Sequence, residues 1–276
     1  MTFPEPSNPD GSRGIGPSSW THFLDTFHGE RPGITAEILD RSIVDSASPY
    51  RWLVEAVSDT GTVVDVACGN GPLAALIGPR WIGTDRSESE LVLGLAKHAQ
   101  PLVISDAATL PFATGAADTV VCSMALQVTE PLSSVLAEIV RVLRPGGRLV
   151  ATVPARHPLT LRDRWRYFGL IRTLRDSLST PNDQALSRLP DTIRQAGLEL
   201  VSDEVRRFEY SIDGTDAAER FVSSLYLRDV TVARFEAANK LARQWVGTPL
   251  GIPIRRFVCI FPTGGDTQSG VIPRRS

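Results

Sequence analysis

Short apolar runs alternate with helical patterns through the first half of the chain. The strand-like runs lie at residues 62–66, 80–85, 102–105, 119–123 and 148–153. Helical spacing of apolar residues appears between several of them, most clearly at residues 132–143. Strands that are apolar throughout and alternate with helices are typical of a parallel sheet covered on both faces. The pattern therefore predicts an α/β protein.

The pattern changes beyond residue 155. Helices are predicted at residues 159–178, 190–196, 217–227 and 230–246, with strands at 200–210 and 254–261. Both ends of the chain are rich in proline, glycine and serine, which disfavour regular structure. The predicted organisation is a flexible tail at 1–19, a helical cap segment at 20–58, a ligand-binding core at 59–155, a helical cap insert at 156–189, the rest of the core at 190–263 with a second helical insert at about 214–247, and a flexible tail at 264–276.

Composition narrows the class of protein. Of 276 residues, 42% are hydrophobic and 22% are charged, as in ordinary globular domains, and the formal net charge is −2. This charge gives no support for nucleic acid or a membrane as a partner. The chain has no apolar run long enough to cross a bilayer and no secretion signal, which predicts a cytoplasmic protein. Its three cysteines lie far apart, so no metal site is expected.

A glycine-rich loop is the sharpest local motif. Residues 64–74 read VDVACGNGPLA, in which glycines follow a strand and precede a helix. Glycines at such a junction let a ligand approach the backbone closely. The spacing of Gly69, Gly71 and Ala74 also fits a dinucleotide fingerprint, but Asp65 at the end of the strand would repel a pyrophosphate. Because a buried carboxylate is costly unless it is paired, Asp65 favours a ligand that carries an ammonium group.

Three acids end three successive strands. Asp65 is followed by Asp85 at the end of the second strand and by Asp106 at the end of the third. The carboxyl ends of parallel strands meet at the edge where such sheets bind ligands. There, Asp85 can accept both hydroxyls of a ribose, and Asp106 can accept the exocyclic amine of an adenine. All three acids together indicate a ligand site rather than three turn or capping residues.

In combination and order these motifs resemble the class I S-adenosylmethionine-dependent methyltransferases, in particular the small-molecule branch of the ubiquinone/menaquinone-biosynthesis type. The matching residues are 64–71, Asp85, Ser105-Asp106-Ala107, 110–112, 118–123 and 143–147. The resemblance covers residues 60–155 closely and the two late strands loosely. It implies a Rossmann-like, mostly parallel sheet of seven strands with an antiparallel last strand and an α-helical cap.

The resemblance also implies S-adenosylmethionine as the cofactor. By it, Gly69 and Gly71 line the methionine part and Asp85 the ribose, and Ser123 offers its carbonyl to the amino group. The predicted cofactor-binding residues are Asp65, Ala67, Gly69, Asn70, Gly71, Asp85, Arg86, Ser105, Asp106, Ala107 and Ser123. In one departure, Gln127 stands where many relatives carry a histidine, so any catalytic role of that histidine is absent or moved.

The acceptor side is predicted from histidines and from an arginine-rich, aromatic insert. Methyl transfer from a sulfonium depends mostly on positioning, and a base is needed only where the acceptor must lose a proton. His157 follows the fifth strand and His22 lies in a segment expected to cover the cofactor, so either is a candidate catalytic base. The insert is expected to form a lid over a flat substrate. The predicted substrate-binding residues are Trp20, Phe23, His28, Gln127, Arg156, Trp165 and Tyr167.

The resulting hypothesis is a methyltransferase that acts on an oxygen or nitrogen of a small-molecule metabolite. The arginine-heavy composition is typical of an actinobacterium-like genome, where such enzymes often tailor natural products, so this role is expected by association. A homodimer is left open. Two other classes also stay open. An NAD-dependent oxidoreductase is disfavoured by Asp65 and by the lack of a Tyr-x-x-x-Lys pair. A non-catalytic S-adenosylmethionine-binding protein is compatible with the binding motifs.

Overall fold

The fold centres on one eight-stranded sheet. The computed structural model describes residues 19–263; apart from Ser19, which opens the first helix, both predicted tails lie outside the described residues. The strands lie in the order β1-β7-β8-β6-β5-β2-β3-β4. Their bounds are β1 (Ser42–Ile43), β2 (Val63–Val66), β3 (Trp81–Asp85), β4 (Leu102–Ile104), β5 (Ala117–Ser123), β6 (Leu143–Pro154), β7 (Glu199–Tyr210) and β8 (Leu250–Ile260).

The sheet has the predicted Rossmann-like topology. Strands β4, β3, β2, β5 and β6 pair in parallel, and β8 runs antiparallel to both of its neighbours, β6 and β7. The sheet has eight strands rather than the predicted seven because β1 adds to its edge, with Ser42 opposite Tyr210. A strand of two residues is too short to show the alternation by which a strand is predicted from sequence.

Helices cover both faces of the sheet. Their bounds are α1 (Ser19–Glu30), α2 (Ile34–Asp40), α3 (Pro49–Val54), α4 (Ala74–Ile77), α5 (Glu88–Ala96), α6 (Leu132–Val142), α7 (Leu161–Leu174), α8 (Asp183–Ser187), α9 (Leu189–Gln195), α10 (Thr215–Ser223) and α11 (Val232–Arg243). Helix α5 begins after Ser87, whose side chain accepts the backbone N–H of Glu90. Among the described helices, none is both long and apolar enough to cross a membrane.

The short strand β2 shows how the sequence positions the site. Successive strand residues point to opposite faces, so Val64 and Val66 join the apolar cluster on one face and Val63 joins the cluster on the other. Asp65 shares the face of Val63, where Trp81 also lies. A carboxylate is therefore placed within an apolar layer, directly before the glycine loop.

A third apolar cluster forms the helical cap, which we define as α7, α10 and α11. Its buried residues include Leu170 and Leu174 of α7, Phe221 of α10 and Ala238 of α11. The cap packs against the ends of β7 and β8, through residues such as Leu250. It thus has an apolar core of its own beside the sheet.

Asp163 fastens α7 to the sheet. Its carboxylate accepts hydrogen bonds from Arg207 Nε at 2.7 Å, from the backbone N–H of Gly251 at 2.9 Å, and from the hydroxyl of Thr160 at 2.7 Å. The Thr160 side chain in turn accepts the backbone N–H of Asp163, which completes a capping box. These donors hold the pKa of Asp163 well below its usual range, against the opposing effect of burial.

Candidate functional site

The chain turns sharply where β2 ends. Ala67, Gly69 and Gly71 all have positive φ values, of 55°, 55° and 70°. A Cβ at Gly71 would lie only 2.6 Å from the Cβ of Ala99, so this glycine is required by packing. A Cβ at Gly69 would lie 3.7 Å from the nearest atom, Glu90 Oε2. The two predicted glycines therefore differ in role, with Gly69 beside the cavity described next and Gly71 packed behind it.

A cavity of about 130 Å³ lies at the carboxyl ends of β2, β3 and β5. Its lining includes residues of helix α1 and of the loop after β2, residues 85–87 and Glu90, residues 123–125 and 128–129, and Tyr226. The predicted cofactor-binding residues that line it are Asp65, Ala67, Gly69, Asn70, Asp85, Arg86 and Ser123. Those that the structure places outside it are Gly71, Ser105, Asp106 and Ala107.

Asp65 is buried with one oxygen unpartnered. Only 1% of the residue is exposed, and Oδ2 accepts the indole N–H of Trp81 at 2.9 Å. Oδ1 has no hydrogen-bond partner among the described residues. Burial raises the pKa of Asp65 to about 8, with Trp81 opposing the rise and Asp85 adding to it. A buried acceptor without a donor is costly, so Oδ1 marks a position where a ligand donor would be stabilised.

Asp85 joins the loop after β2 to the start of α5. Oδ2 accepts the backbone N–H of Gly69 at 2.7 Å, and Oδ1 accepts that of Ser87 at 2.8 Å. Burial raises the pKa of Asp85, and the two backbone donors work against that rise. The acid at the end of β3 therefore fixes the backbone of the glycine loop while it lines the cavity.

Glu90 is the centre of a buried hydrogen-bond network that sequence reasoning missed. Its Oε1 accepts the backbone N–H of Gly33 at 2.9 Å and lies 2.9 Å from His28 Nδ1, while Oε2 accepts the Asn70 amide at 3.2 Å. His28 Nε2 is 3.4 Å from the hydroxyl of Tyr226. The network links α1 to the loop after β2, so α1 is held as a lid over the cavity.

Position within the chain explains why Glu90 was missed. Ser87 and Glu90 have capping-box spacing, which gives an acid at this position an ordinary role at a helix start. Its burial depends on α1, whose His28 is 62 residues away, and on the close approach of Tyr226. Tyr50 was missed in the same way, and burial raises the pKa of this cavity-lining tyrosine well above its usual value.

The cavity is lined by more acids than bases. Asp25, Asp65, Asp85 and Glu90 contribute carboxyl groups, against one guanidinium from Arg86 and the imidazole of His28. Such a lining favours a cationic ligand over a phosphate.

Arg86 extends the site toward the predicted adenine side. Its guanidinium lies 3.1 Å from Asp25 of the lid and 3.8 Å from Asp106. Asp106 is exposed and uses Oδ1 to accept the backbone N–H of Ala108 at 2.8 Å. Asp106 therefore lies next to the cavity through Arg86, and the neighbouring Ala107 packs on the apolar cluster below the sheet edge.

A second, more open cleft of about 830 Å³ lies beyond the end of β6. Gln127, Arg156 and His157, all predicted from sequence for catalysis or substrate binding, line it. Gln127 is 3% exposed; its amide nitrogen donates to the carbonyl of Met124 at 2.5 Å, and its oxygen has no partner among the described residues. Met124 lines the first cavity, so the short segment 124–127 connects the two.

Other predicted substrate and catalytic residues lie elsewhere. His22 is exposed on α1 and lines neither cavity. Trp20 and Phe23 pack edge to face on the lid, with ring centroids 5.6 Å apart. Trp165 is 73% exposed, and Tyr167 donates its hydroxyl to the carbonyl of Gly251 at 3.0 Å within the cap. His28 is thus the predicted histidine that the structure brings to the first cavity.

Comparison with known proteins agrees with this architecture. Residues 64–151 match a family described as a methyltransferase domain. The ubiquinone/menaquinone biosynthesis C-methyltransferase UbiE of Paracoccus denitrificans is 31% identical over 174 residues, which cover 53% of this chain and 68% of that protein. The chain belongs to the class I S-adenosylmethionine-dependent methyltransferases. The resemblance predicted from sequence, and with it the cofactor of the family, S-adenosylmethionine, is confirmed.

Other matches are shorter or more distant. The demethylmenaquinone methyltransferase of Lactococcus lactis is 35% identical over 109 residues, covering 35% of this methyltransferase and 43% of the relative. The chain spans about half the length of the first curated relatives that it matches. A candidate methyltransferase of known structure from Bacillus halodurans aligns over 79% of this chain and 100% of its own, with a TM-score of 0.55 and 18% identity. That likeness shows the fold.

Proposed function

We propose that this chain transfers the methyl group of S-adenosylmethionine to a small-molecule acceptor. The observation that carries the proposal is Asp65, a buried carboxylate beside the glycine loop whose Oδ1 has no partner among the described residues. The methionine part of the cofactor carries an ammonium group, which would donate to this oxygen and stabilise the ionised form of the buried carboxyl group. The pyrophosphate of NAD would instead bring like charge to the same carboxylate.

The other lining residues fit the rest of the cofactor. Each carboxylate oxygen can accept more than one hydrogen bond, so Asp85 can hold ribose hydroxyls while it binds Gly69 and Ser87. Arg86 and Asp106 continue on the adenine side. When bound, the cofactor supplies an electrophilic methyl group on a sulfonium, and the excess of carboxyl groups in this lining suits that positive charge.

The second cleft is the proposed acceptor site. Its lining residue Gln127 lies three residues beyond Met124 of the cofactor cavity, and the unpartnered oxygen of Gln127 can accept a hydrogen bond from an acceptor hydroxyl or amine. His157 lines the cleft and is the proposed base for an acceptor that must lose a proton. His22 has no place in this proposal because it lines neither cavity.

The proposal for the acceptor atom includes oxygen, nitrogen and carbon. The sequence prediction of an oxygen or nitrogen stays part of the proposal, as does natural-product tailoring. Two relatives are named as C-methyltransferases, which adds carbon as an acceptor. An ionised ring hydroxyl is nucleophilic at its oxygen and at the neighbouring ring carbon, so one base would serve either outcome.

Calorimetry tests the cofactor side of the proposal. We expect S-adenosylmethionine and S-adenosylhomocysteine to bind with one site per chain and NAD to give no heat of binding. Tight binding of NAD without a response to either sulfur compound would overturn the proposal. For the acceptor side, hydroxylated aromatic acceptors would be screened with methyl-labelled cofactor, and NMR of the product would assign the methyl group to oxygen, nitrogen or carbon.

A further inference from the structure

Helix α7 exposes an apolar stripe to solvent. Leu161, Trp165 and Phe168 are 74%, 73% and 58% exposed. Their spacing of four and three residues places them on one side of the helix over successive turns. The rings of Trp165 and Phe168 pack edge to face, with centroids 6.2 Å apart, and Ile171 extends the stripe at 38% exposure.

The stripe is separate from the face that holds α7 in place. The opposite side of the helix buries Asp163, Leu170 and Leu174 against the sheet and the cap. The helix therefore has two apolar faces, and the described part of the protein covers one of them. An exposed stripe of large apolar side chains on a helix that is already anchored marks an interaction surface.

Arginines surround the stripe. Arg162, Arg164, Arg172 and Arg175 are all exposed, and among residues 19–263 none of them forms an ion pair. The one acid of the helix, Asp163, is buried and bound to Arg207. The surface of α7 is thus strongly cationic, although the whole chain carries a formal net charge of −2.

We propose that α7 docks flat on an anionic membrane surface. Tryptophan and phenylalanine insert at the boundary between headgroups and acyl chains, where a ring contacts apolar chains beside a polar layer. Arginine binds lipid phosphates with paired N–H donors, and each basic residue near an anionic leaflet adds to the attraction. An anionic bilayer is complementary to both parts of the surface, the aromatic stripe and its unpaired arginines. This docking does not depend on the methyl-transfer reaction.

Vesicle flotation tests the proposal with the full chain. We expect the protein to float with vesicles in which about a third of the lipid is phosphatidylglycerol and to stay behind with phosphatidylcholine alone. Trp165→Ser/Phe168→Ser should lower vesicle affinity by about tenfold or more. Arg164→Gln/Arg172→Gln should lower it by about fivefold for each arginine removed.

A matched control distinguishes docking through α7 from non-specific adsorption through exposed apolar side chains. Val92 and Leu95 are 59% and 55% exposed on α5, so Val92→Ser/Leu95→Ser removes similar apolar surface elsewhere and should leave vesicle binding unchanged. Tryptophan fluorescence should shift to shorter wavelength when anionic vesicles are added, and Trp165→Phe should remove most of that shift while it preserves flotation.

Three outcomes would overturn the proposal. The first is equal binding of wild type and Trp165→Ser/Phe168→Ser to anionic vesicles, and the second is an equal loss of binding in the α5 control. The third is no binding to anionic vesicles; a dimer in sedimentation that Trp165→Ser/Phe168→Ser converts to monomer would then assign the stripe to a second copy of the chain.

Discussion

The cofactor cavity and the helical cap are held by contacts of different range. At the cavity, Asp85 binds the backbone of Gly69 and Ser87, which are 16 and 2 residues away. In the cap, Asp163 binds Arg207 and Gly251, which are 44 and 88 residues away. The lid is like the cap, since His28 reaches Glu90 across 62 residues. The loop after β2 and the start of α5, which we call the cavity floor, are therefore held by contacts between residues close in sequence. The lid and the cap are held by contacts between residues far apart in sequence.

This difference in contact range gives the two regions different roles: the cavity floor is rigid, and the lid controls access to the cavity. A loop fixed by nearby strands and backbone hydrogen bonds is ready for a ligand without rearrangement. A lid fixed by a few long-range contacts can open while the loop beneath it keeps its shape. We therefore expect cofactor recognition to depend on the floor and cofactor exchange to depend on the lid.

The largest expected effect is on the free energy of unfolding, and it tests whether the helical cap depends on Asp163, which anchors α7 to the sheet. Asp163→Ala leaves Arg207 and the N–H of Gly251 without their buried partner, and should lower the free energy of unfolding by about 3–5 kcal/mol. Asp191→Ala, which removes an exposed ion pair with Arg194, should change it by less than about 1 kcal/mol. Urea denaturation followed by circular dichroism measures both. Equal losses would mean that Asp163 is no anchor.

Asp163 should also make the free energy of unfolding depend on pH in the acid range. The pKa of Asp163 is lowered in the folded state, so its contribution to stability is complete above its unfolded pKa of about 4 and is lost as pH falls below that value. Asp163→Asn should therefore flatten the acid limb of the plot of unfolding free energy against pH. An acid limb of unchanged slope in the variant would contradict this expectation.

The second prediction concerns the cavity floor and Asp65. Asp65→Asn keeps the shape of the side chain and removes the charge, and should weaken S-adenosylmethionine binding by about 2–3 kcal/mol. Asp118→Asn is the matched control, because Asp118 bonds the backbone of Thr62 and lies outside the cavity. Calorimetry should show near wild-type affinity for the control. An Asp65→Asn variant that binds as tightly as wild type would remove Asp65 from the cofactor site.

Asp65 also makes binding and stability depend on pH. Its folded pKa of about 8 exceeds the unfolded value, so the free energy of unfolding of the ligand-free protein should fall as pH rises from about 4 to 8. An ammonium group beside Asp65 would lower that pKa, so cofactor binding near pH 7 should release a proton from this carboxyl. Calorimetry in two buffers of different ionisation enthalpy measures the release, which Asp65→Asn should abolish.

The difference between contacts of short and long sequence separation also explains which features could be predicted from the sequence. The order of strands and helices, the glycine loop and the acids at strand ends follow from periodicity and short spacing, and the observed sheet places Asp65 and Asp85 as expected. The partner of Asp65 was not predicted, because the indole of Trp81 reaches it only after β2 and β3 pair. His22 and His28 share one helix, and only the folded lid shows which of them faces Glu90.

The third prediction tests the lid through that pair of histidines. His28→Ala removes the contact with Glu90 and should weaken cofactor binding by about tenfold, which corresponds to about 1.4 kcal/mol. His22→Ala is the matched control on the same helix, and should bind the cofactor as wild type does. Hydrogen exchange should show faster opening of α1 in His28→Ala, with the amides of β2 unchanged. Equal effects of the two substitutions would mean that α1 is held by something other than the Glu90 network.

The smallest expected effect comes from the exposed edge of the lid. Asp25 and Arg86 form an ion pair with side chains 47% and 44% exposed, and water and salt screen such pairs. Asp25→Asn should therefore change cofactor affinity by less than about threefold, and that small change should vanish at about 1 M salt. Glu30→Gln, which alters the other exposed acid near the end of α1, serves as its control. A loss as large as that of His28→Ala would place the closing contact of the lid at its exposed edge, and the buried network would then serve only to order the loop after β2.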